Sequence, residues 1–141
     1  MAAEKIICDT DVMIEYLDSR RARHQDTKSI VEDVIGLDNV VLSAITKIEL
    51  MAGATNKIEL KQVNKNIYWF DILLFNPEIT SIAIRLTETY KLSHSLAMPD
   101  AFIASSSLYT GYRLFTYNLK DYKFIEGIKL LDTFKNHPEN K

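Results

Sequence analysis

Asp9, Glu49 and Asp100 are the residues of this chain best placed to do chemistry. Asp9 ends a short apolar run, Ile6-Ile7-Cys8, and is followed by Thr10, a second acid, Asp11, and an amphipathic stretch. This is the pattern of a buried strand feeding a helix, with carboxylates at the strand's carboxyl end, where open α/β sheets bind ligands. A lone Asp there has a simpler use as a helix N-cap. The rest of the chain supplies more. Glu49 falls on or near the inward face of a helix that follows a second apolar run, and a charge there needs a partner. Asp100 opens a helix just after Pro99, and Thr116 and Asn118 follow a late strand. Gathered over one sheet edge, these carboxylates repel, and one takes up a proton unless a cation neutralises them. Asp and Glu oxygens, completed by water, are the ligands of Mg²⁺ or Mn²⁺. Such ions stabilise charge on a phosphodiester and acidify an attacking water. The residue types therefore imply an acidic divalent-metal site and phosphoryl chemistry.

Positioning these groups requires strands that alternate with helices. After the opening strand, Val12, Met13, Tyr16 and Leu17 predict a helix over 12–19. A second helix is expected over 26–35, stopped by Gly36, then a strand over 39–43. Ser43 is the expected N-cap of a helix over 44–52, with Ile45, Ile48 and Ala52 toward the sheet. A longer amphipathic helix follows over 57–70, then a short strand over 71–75. Pro77 and Thr80 introduce a helix over 81–91, and Pro99-Asp100 opens another that ends at Gly111. Residues 113–116 form a fourth strand, and 128–131 a short last one. The implied class is α/β, a three-layer sandwich whose central, mostly parallel sheet of four or five strands is flanked by helices. It forms a single domain over 1–134, with a polar tail over 135–141.

Composition narrows the function classes. The chain has 141 residues, 47% hydrophobic and 26% charged, enough for a full core and unlike a disordered chain. A net charge of −2 argues against a non-specific nucleic-acid coat, although a local basic rim can still meet RNA. Cys8 is the single cysteine, which rules out an intrachain disulfide or a Cys-type zinc site and suits a reducing cytoplasm. No signal peptide and no membrane-spanning run is expected.

Arg20, Arg21, Arg23 and His24 cluster past the first helix. They either complement that helix's dipole or form a phosphate-contacting rim beside Asp9. Tyr68, Trp69 and Phe70 have the chemistry to stack on bases, but their spacing suits core or interface. His94 and His137 fall in a polar loop and in the tail, where surface roles suffice.

The segments Ile7-Cys8-Asp9-Thr10-Asp11-Val12-Met13-Ile14 and Leu42-Ser43-Ala44-Ile45-Thr46-Lys47-Ile48-Glu49-Leu50-Met51-Ala52-Gly53 resemble the first two motifs of PIN domains. Pro99-Asp100-Ala101-Phe102-Ile103-Ala104, with the stretch from Gly111 through Thr116 and Asn118 to Tyr122, resembles the last two. In pattern the chain is most similar to the VapC-type toxins of bacterial toxin–antitoxin pairs, over essentially its whole length. The resemblance implies a metal-dependent endoribonuclease that hydrolyses RNA phosphodiester bonds. Asp9 and Asp100 would be direct ligands of Mg²⁺ or Mn²⁺, with Glu49 completing the set directly or through water. Thr10 and Thr116 would orient ligands or phosphate. Asn118 occupies the family's frequent fourth acidic position, and Asp121 is the alternative there. A homodimer and a cognate antitoxin are the implied partners. Two rivals stand beside this reading. One is a non-catalytic PIN-like module that binds RNA or protein. The other is a haloacid-dehalogenase-type phosphatase, which Asp9-x-Asp11 resembles but which leaves Glu49 and Asp100 unexplained.

Overall fold

A computed structural model of the chain describes residues 3–133. Four short strands, β1 (Ile6–Cys8), β2 (Val40–Ser43), β3 (Asp71–Leu73) and β4 (Arg113–Phe115), form a sheet in the order β3-β2-β1-β4. Every neighbouring pair is parallel. β1 and β2 are buried throughout, as parallel strands covered by helices on both faces require, while the edge strands β3 and β4 each begin with an exposed charged residue, Asp71 and Arg113. Alternation along the strands splits the core in two. Ile6, Cys8, Val40, Leu42 and Phe115 pack with Val12, Met13, Val31 and Ile67 on one face. Ile7, Val41 and Leu114 pack with Ala83, Leu86, Ala101 and Ala104 on the other. The expected fifth strand is reduced to a single parallel bridge between Leu114 and Leu130.

The helices are α1 (Thr10–Leu17), α2 (His24–Ser29), α3 (Ala44–Ala52), α4 (Lys57–Ile67), α5 (Pro77–His94) and α6 (Met98–Thr110). Several differ from the periodicity reading. α1 begins two residues early because Asp9 is its N-cap, accepting from the Thr10 amide. α2 stops at Ser29 and runs on as a wider π-helical turn, Ile30–Ile35, ended by Gly36 at φ 89°. α5 starts at Pro77 rather than after it, since Asn76 caps the Ile79 amide and proline suits the first turn. α3 has the expected bounds and the expected Ser43 cap, but presents a different face. Thr46 and Leu50 are buried, whereas Ile48 is 55% exposed. A polar residue takes the inward position because a hydroxyl partner awaits it there. α4 is shorter than expected, and the Tyr68 and Trp69 that follow it are exposed. Arg20 and Arg21 lie past the end of α1, where Arg20 pairs with its C-cap, Asp18, and Arg21 with Glu15 of its last turn.

β1 sends the chain to one side, toward β2 and β3, and β4 returns on the other. The strand order therefore reverses between β1 and β4, and their carboxyl ends frame the crevice where open α/β sheets place ligands. Asp9 and Thr116 are the residues that leave those two ends. No helix among the described residues is long and apolar enough to cross a membrane. The boundary at 134/135, the tail and His137 lie outside the described residues.

Gly111 closes α6 in the left-handed region at φ 77°, with open space where a Cβ would stand. Gly111→Ala should therefore destabilise by backbone strain alone, by about 1 kcal/mol, read in a denaturant titration.

Candidate active site

Asp9 is fixed from three sides. Its amide donates to the Phe115 carbonyl at 2.9 Å, which ties the start of α1 to the end of β4. One carboxylate oxygen accepts the Thr10 amide at 2.7 Å, and the other accepts the Thr116 hydroxyl at 2.7 Å. Thr116 in turn accepts the Asn118 amide at 3.0 Å. The same carboxylate therefore starts a helix and stands at the carboxyl end of β1, held against the end of β4. Asp9 is only 5% exposed. Burial, with the Asp11 charge beside it, pushes its carboxyl up to about 6, against the pull of its hydrogen bonds.

Glu49 enters from α3. The Thr10 hydroxyl lies 2.7 Å from its Oε1 and 2.9 Å from the Thr46 hydroxyl. One hydroxyl carries one proton, so Thr10 best donates to the carboxylate and accepts from Thr46. Thr46 and Glu49 are one turn apart, which explains why Thr46 rather than Ile48 turns inward. Asp100, in the first turn of α6, accepts the Tyr122 hydroxyl at 3.0 Å. Burial raises its carboxyl to about 6, the Tyr122 bond opposing, and the charges of Asp9, Asp121 and Glu49 push the same way as burial. The three expected acids are thus electrostatic neighbours, brought from β1, α3 and α6 to the switch point of the sheet.

Tyr122 escaped the sequence reading, which noted Asp11 only as a second acid and Arg23 only as one of a basic cluster. Asp11 accepts the Tyr117 amide at 3.1 Å, but its Oδ1 is buried without any hydrogen-bond donor. Burial raises its carboxyl too. Tyr122 is fully buried beneath Asp100, and desolvation between the Asp9 and Asp100 charges raises its phenol far above the usual range. Arg23, in the basic cluster, sits 4.4 Å over the Tyr117 ring and is the cation that draws the Asp11 carboxyl down. A second acid two residues after the first, at the start of a helix, was the visible signal for Asp11. Nothing in the sequence marked Tyr122.

The arginines expected at the rim divide. Arg20 Nε pairs with Asp18 at 3.0 Å and stays exposed, bordering a groove whose lining includes Glu49. Arg21 pairs with the buried Glu15 at 2.6 Å and borders a second cavity with Asp11 and Asn118. Asn118 is exposed on that second side. Asp121 acts on Asp100 through its charge alone and lies in a short 3₁₀ turn, Leu119–Asp121. Asp121→Asn should then leave divalent-ion affinity nearly unchanged in a Mn²⁺ titration, whereas Asp100→Asn should lose it.

Among the described residues, no three Asp, Glu, His or Cys side chains stand as a ready-made ligand cluster. Asp9, Glu49 and Asp100 are instead engaged by hydroxyls. Yet the residues fit a hard cation: every donor is oxygen, Asp9 and Asp100 are each raised by burial and by neighbouring acidic charge, and Asp11 beside Asp9 keeps a buried oxygen unpaired.

No curated protein matches the chain in sequence. Among solved structures, a toxin–antitoxin complex from Klebsiella pneumoniae matches at 24% identity and TM-score 0.70, over 90% of this chain and 95% of that one. VapBC-1 from nontypeable Haemophilus influenzae matches at 24% identity and TM-score 0.72, over 90% and 96%. DNA-bound VapBC from Salmonella typhimurium matches at 18% identity and TM-score 0.72, over 92% and 98%. These likenesses establish a shared fold. A family model described as PIN domain matches residues 6–125, a span that includes Asp9, Glu49, Asp100 and Asn118 together with both ends of the switch point, and the chain belongs to the PIN domain family.

Proposed function

We propose that the chain is a divalent-metal-dependent endoribonuclease, the toxin of a toxin–antitoxin pair, acting in the cytoplasm. One observation supports this reading: Asp9 and Asp100 are both held up to about 6 by burial and uncompensated charge, and the charges of Asp9 and Glu49 both bear on Asp100. An inert scaffold gains nothing from such repulsion. Asp9, Asp100 and Glu49 would hold Mg²⁺ or Mn²⁺. When bound, the ion supplies positive charge for a phosphodiester and acidifies water. The chain's own residues do the rest. Asp9 is immobilised between α1 and β4, so its oxygens present one fixed geometry. Thr116 and Thr10 orient Asp9 and Glu49, and Tyr122 orients Asp100. Asn118, the expected fourth oxygen donor, opens onto the neighbouring cavity, so the acidic set is Asp9, Glu49 and Asp100.

The test is cleavage of a mixed RNA pool. Activity should require Mg²⁺ or Mn²⁺, vanish in EDTA and be absent from Asp9→Asn. Undiminished cleavage by rigorously metal-free protein would refute it. RNA binding without cleavage would favour the non-catalytic PIN-like module, and phosphatase activity with inert RNA the dehalogenase-type rival.

A solved toxin–antitoxin complex of the same fold supports an antitoxin partner. The antitoxin would silence the site by placing a basic side chain, best an arginine, among the carboxylates. A homodimer is supported by the apolar cleft between α5 and α6, where Ile84 and Met98 are exposed beside Phe102. Light scattering should report a dimer that Ile84→Glu dissociates, and a monomer at high concentration would sink it.

A further inference from the structure

Beside the acidic crevice lies a second cavity of about 320 Å³, lined by Asp11, Ile14, Glu15, Arg21, Arg23, Tyr117 and Asn118. We propose that it is a nucleotide subsite: the base of an unpaired RNA residue stacks on the Arg23 guanidinium, the Asn118 amide meets the base edge, and Arg21 meets the adjoining phosphate.

The platform is already assembled. Arg23 lies 4.4 Å from the Tyr117 ring centroid, so the ring backs the guanidinium. Tyr117 is fixed at both ends, its phenol 2.5 Å from the Thr27 hydroxyl and its amide donating to Asp11 at 3.1 Å. An arginine plane backed in this way offers a flat cationic surface, and unstacked RNA bases stack on such planes. The loop that carries it is pinned by one buried acid. Glu15 accepts Arg21 Nε at 2.6 Å and the Arg23 amide at 3.1 Å, while its carbonyl meets His24 Nδ1 at 2.9 Å. Arg21 is held by its Nε and keeps half its side chain exposed, which leaves guanidinium donors for a phosphate. Asn118 brings a donor and an acceptor on one short side chain. Asp11 and Asn118 each stand two residues from a group of the crevice, Asp9 and Thr116. A nucleotide here would therefore flank a phosphodiester placed at Asp9. The alternative is that Arg23 serves only as a counter-ion for Asp11.

The inference rests on the ribonuclease reading of the crevice, but its test does not. Binding of a short fluorescein-labelled single-stranded RNA to the full chain is followed by anisotropy in EDTA, where no cleavage occurs. Arg23→Ala and Tyr117→Leu should each weaken binding on the order of tenfold. Arg23→Lys keeps the charge but lacks the plane, so it should recover only part of the loss. Adenosine monophosphate should compete better than inorganic phosphate. Affinity unchanged in Arg23→Ala, full recovery in Arg23→Lys, or equal competition by phosphate would each overturn the nucleotide subsite. If the wild type cleaves RNA with Mn²⁺ and any of those results holds, the subsite alone has failed. If it binds as expected but never cleaves, the ribonuclease reading has failed and the subsite stands.

Discussion

Asp9→Asn is expected to stabilise the metal-free protein at neutral pH while reducing RNA cleavage roughly a hundredfold or more. The two effects share a cause. Asp9 is buried beside Asp11, and its carboxyl titrates near 6 in the folded chain against an ordinary value of 3.8. The folded state therefore binds more protons than the unfolded state between about pH 4 and pH 6. Stability falls as pH rises through that window, and the full penalty is present above it. Two pH units correspond to at most about 3 kcal/mol, less where the hydrogen bonds and the Asp11 charge rearrange. Asn removes the charge yet still caps a helix, and the Thr116 hydroxyl can turn to suit an amide. Melting curves of the metal-free pair should separate by several degrees at pH 7 and converge near pH 4. Asp100→Asn should shift stability in the same direction, though less, since Asp100 is the more exposed acid. Mn²⁺ should stabilise the wild type and leave Asp9→Asn unmoved. A destabilised Asp9→Asn would mean that the carboxylate is a cap and nothing more.

What was legible in the sequence was whatever depends on short-range pattern. The apolar runs of β1, β2 and β4, the Ser43 cap and the glycine stop at Gly111 all follow from residue type and spacing. Asp9, Glu49 and Asp100 stood out because each is an acid placed where an element begins or turns inward, and in the fold the charges of Asp9 and Glu49 act on Asp100. The misses depend on tertiary contacts. Ile48 looked like a core residue by type, but Thr46 takes the inward position because Thr10 arrives from α1 to bond it. Arg20, Arg21 and Arg23 looked alike, and only tertiary contacts tell them apart: Asp18 pairs with Arg20, Glu15 holds Arg21 by its Nε, and Arg23 lies over the Tyr117 ring. The end of α2 was blurred by the π-helical turn, which keeps a helical hydrophobic pattern while changing its hydrogen bonds. Tyr122 went unmarked because a lone aromatic between charged residues, Lys120, Asp121 and Lys123, carries no pattern that distinguishes core from site. It is core, and it is also a hydrogen-bond donor.

Tyr122→Phe should act in the opposite sense to Asp9→Asn, lowering stability and weakening cleavage together. The ring packs against the α5–α6 face of the sheet and is fully buried, and phenylalanine preserves that packing. Only the hydroxyl is lost. That hydroxyl donates to Asp100 at 3.0 Å and helps hold both Asp100 and Asp9 in their ionised forms. Without it a partly buried carboxylate loses its donor, a loss of about 1–3 kcal/mol. The Asp100 carboxyl should rise beyond its present value of about 6, because a bond that favours the charged form has gone. Cleavage needs that carboxylate ionised, so the acidic limb of the pH–rate profile should move to higher pH, and the rate on the plateau should fall about 10–100-fold through lost orientation. A merely structural tyrosine would lower the melting temperature and leave the limb in place. The measurement is the pH–rate profile of Tyr122→Phe beside that of the wild type, and an unshifted limb would remove Tyr122 from the site.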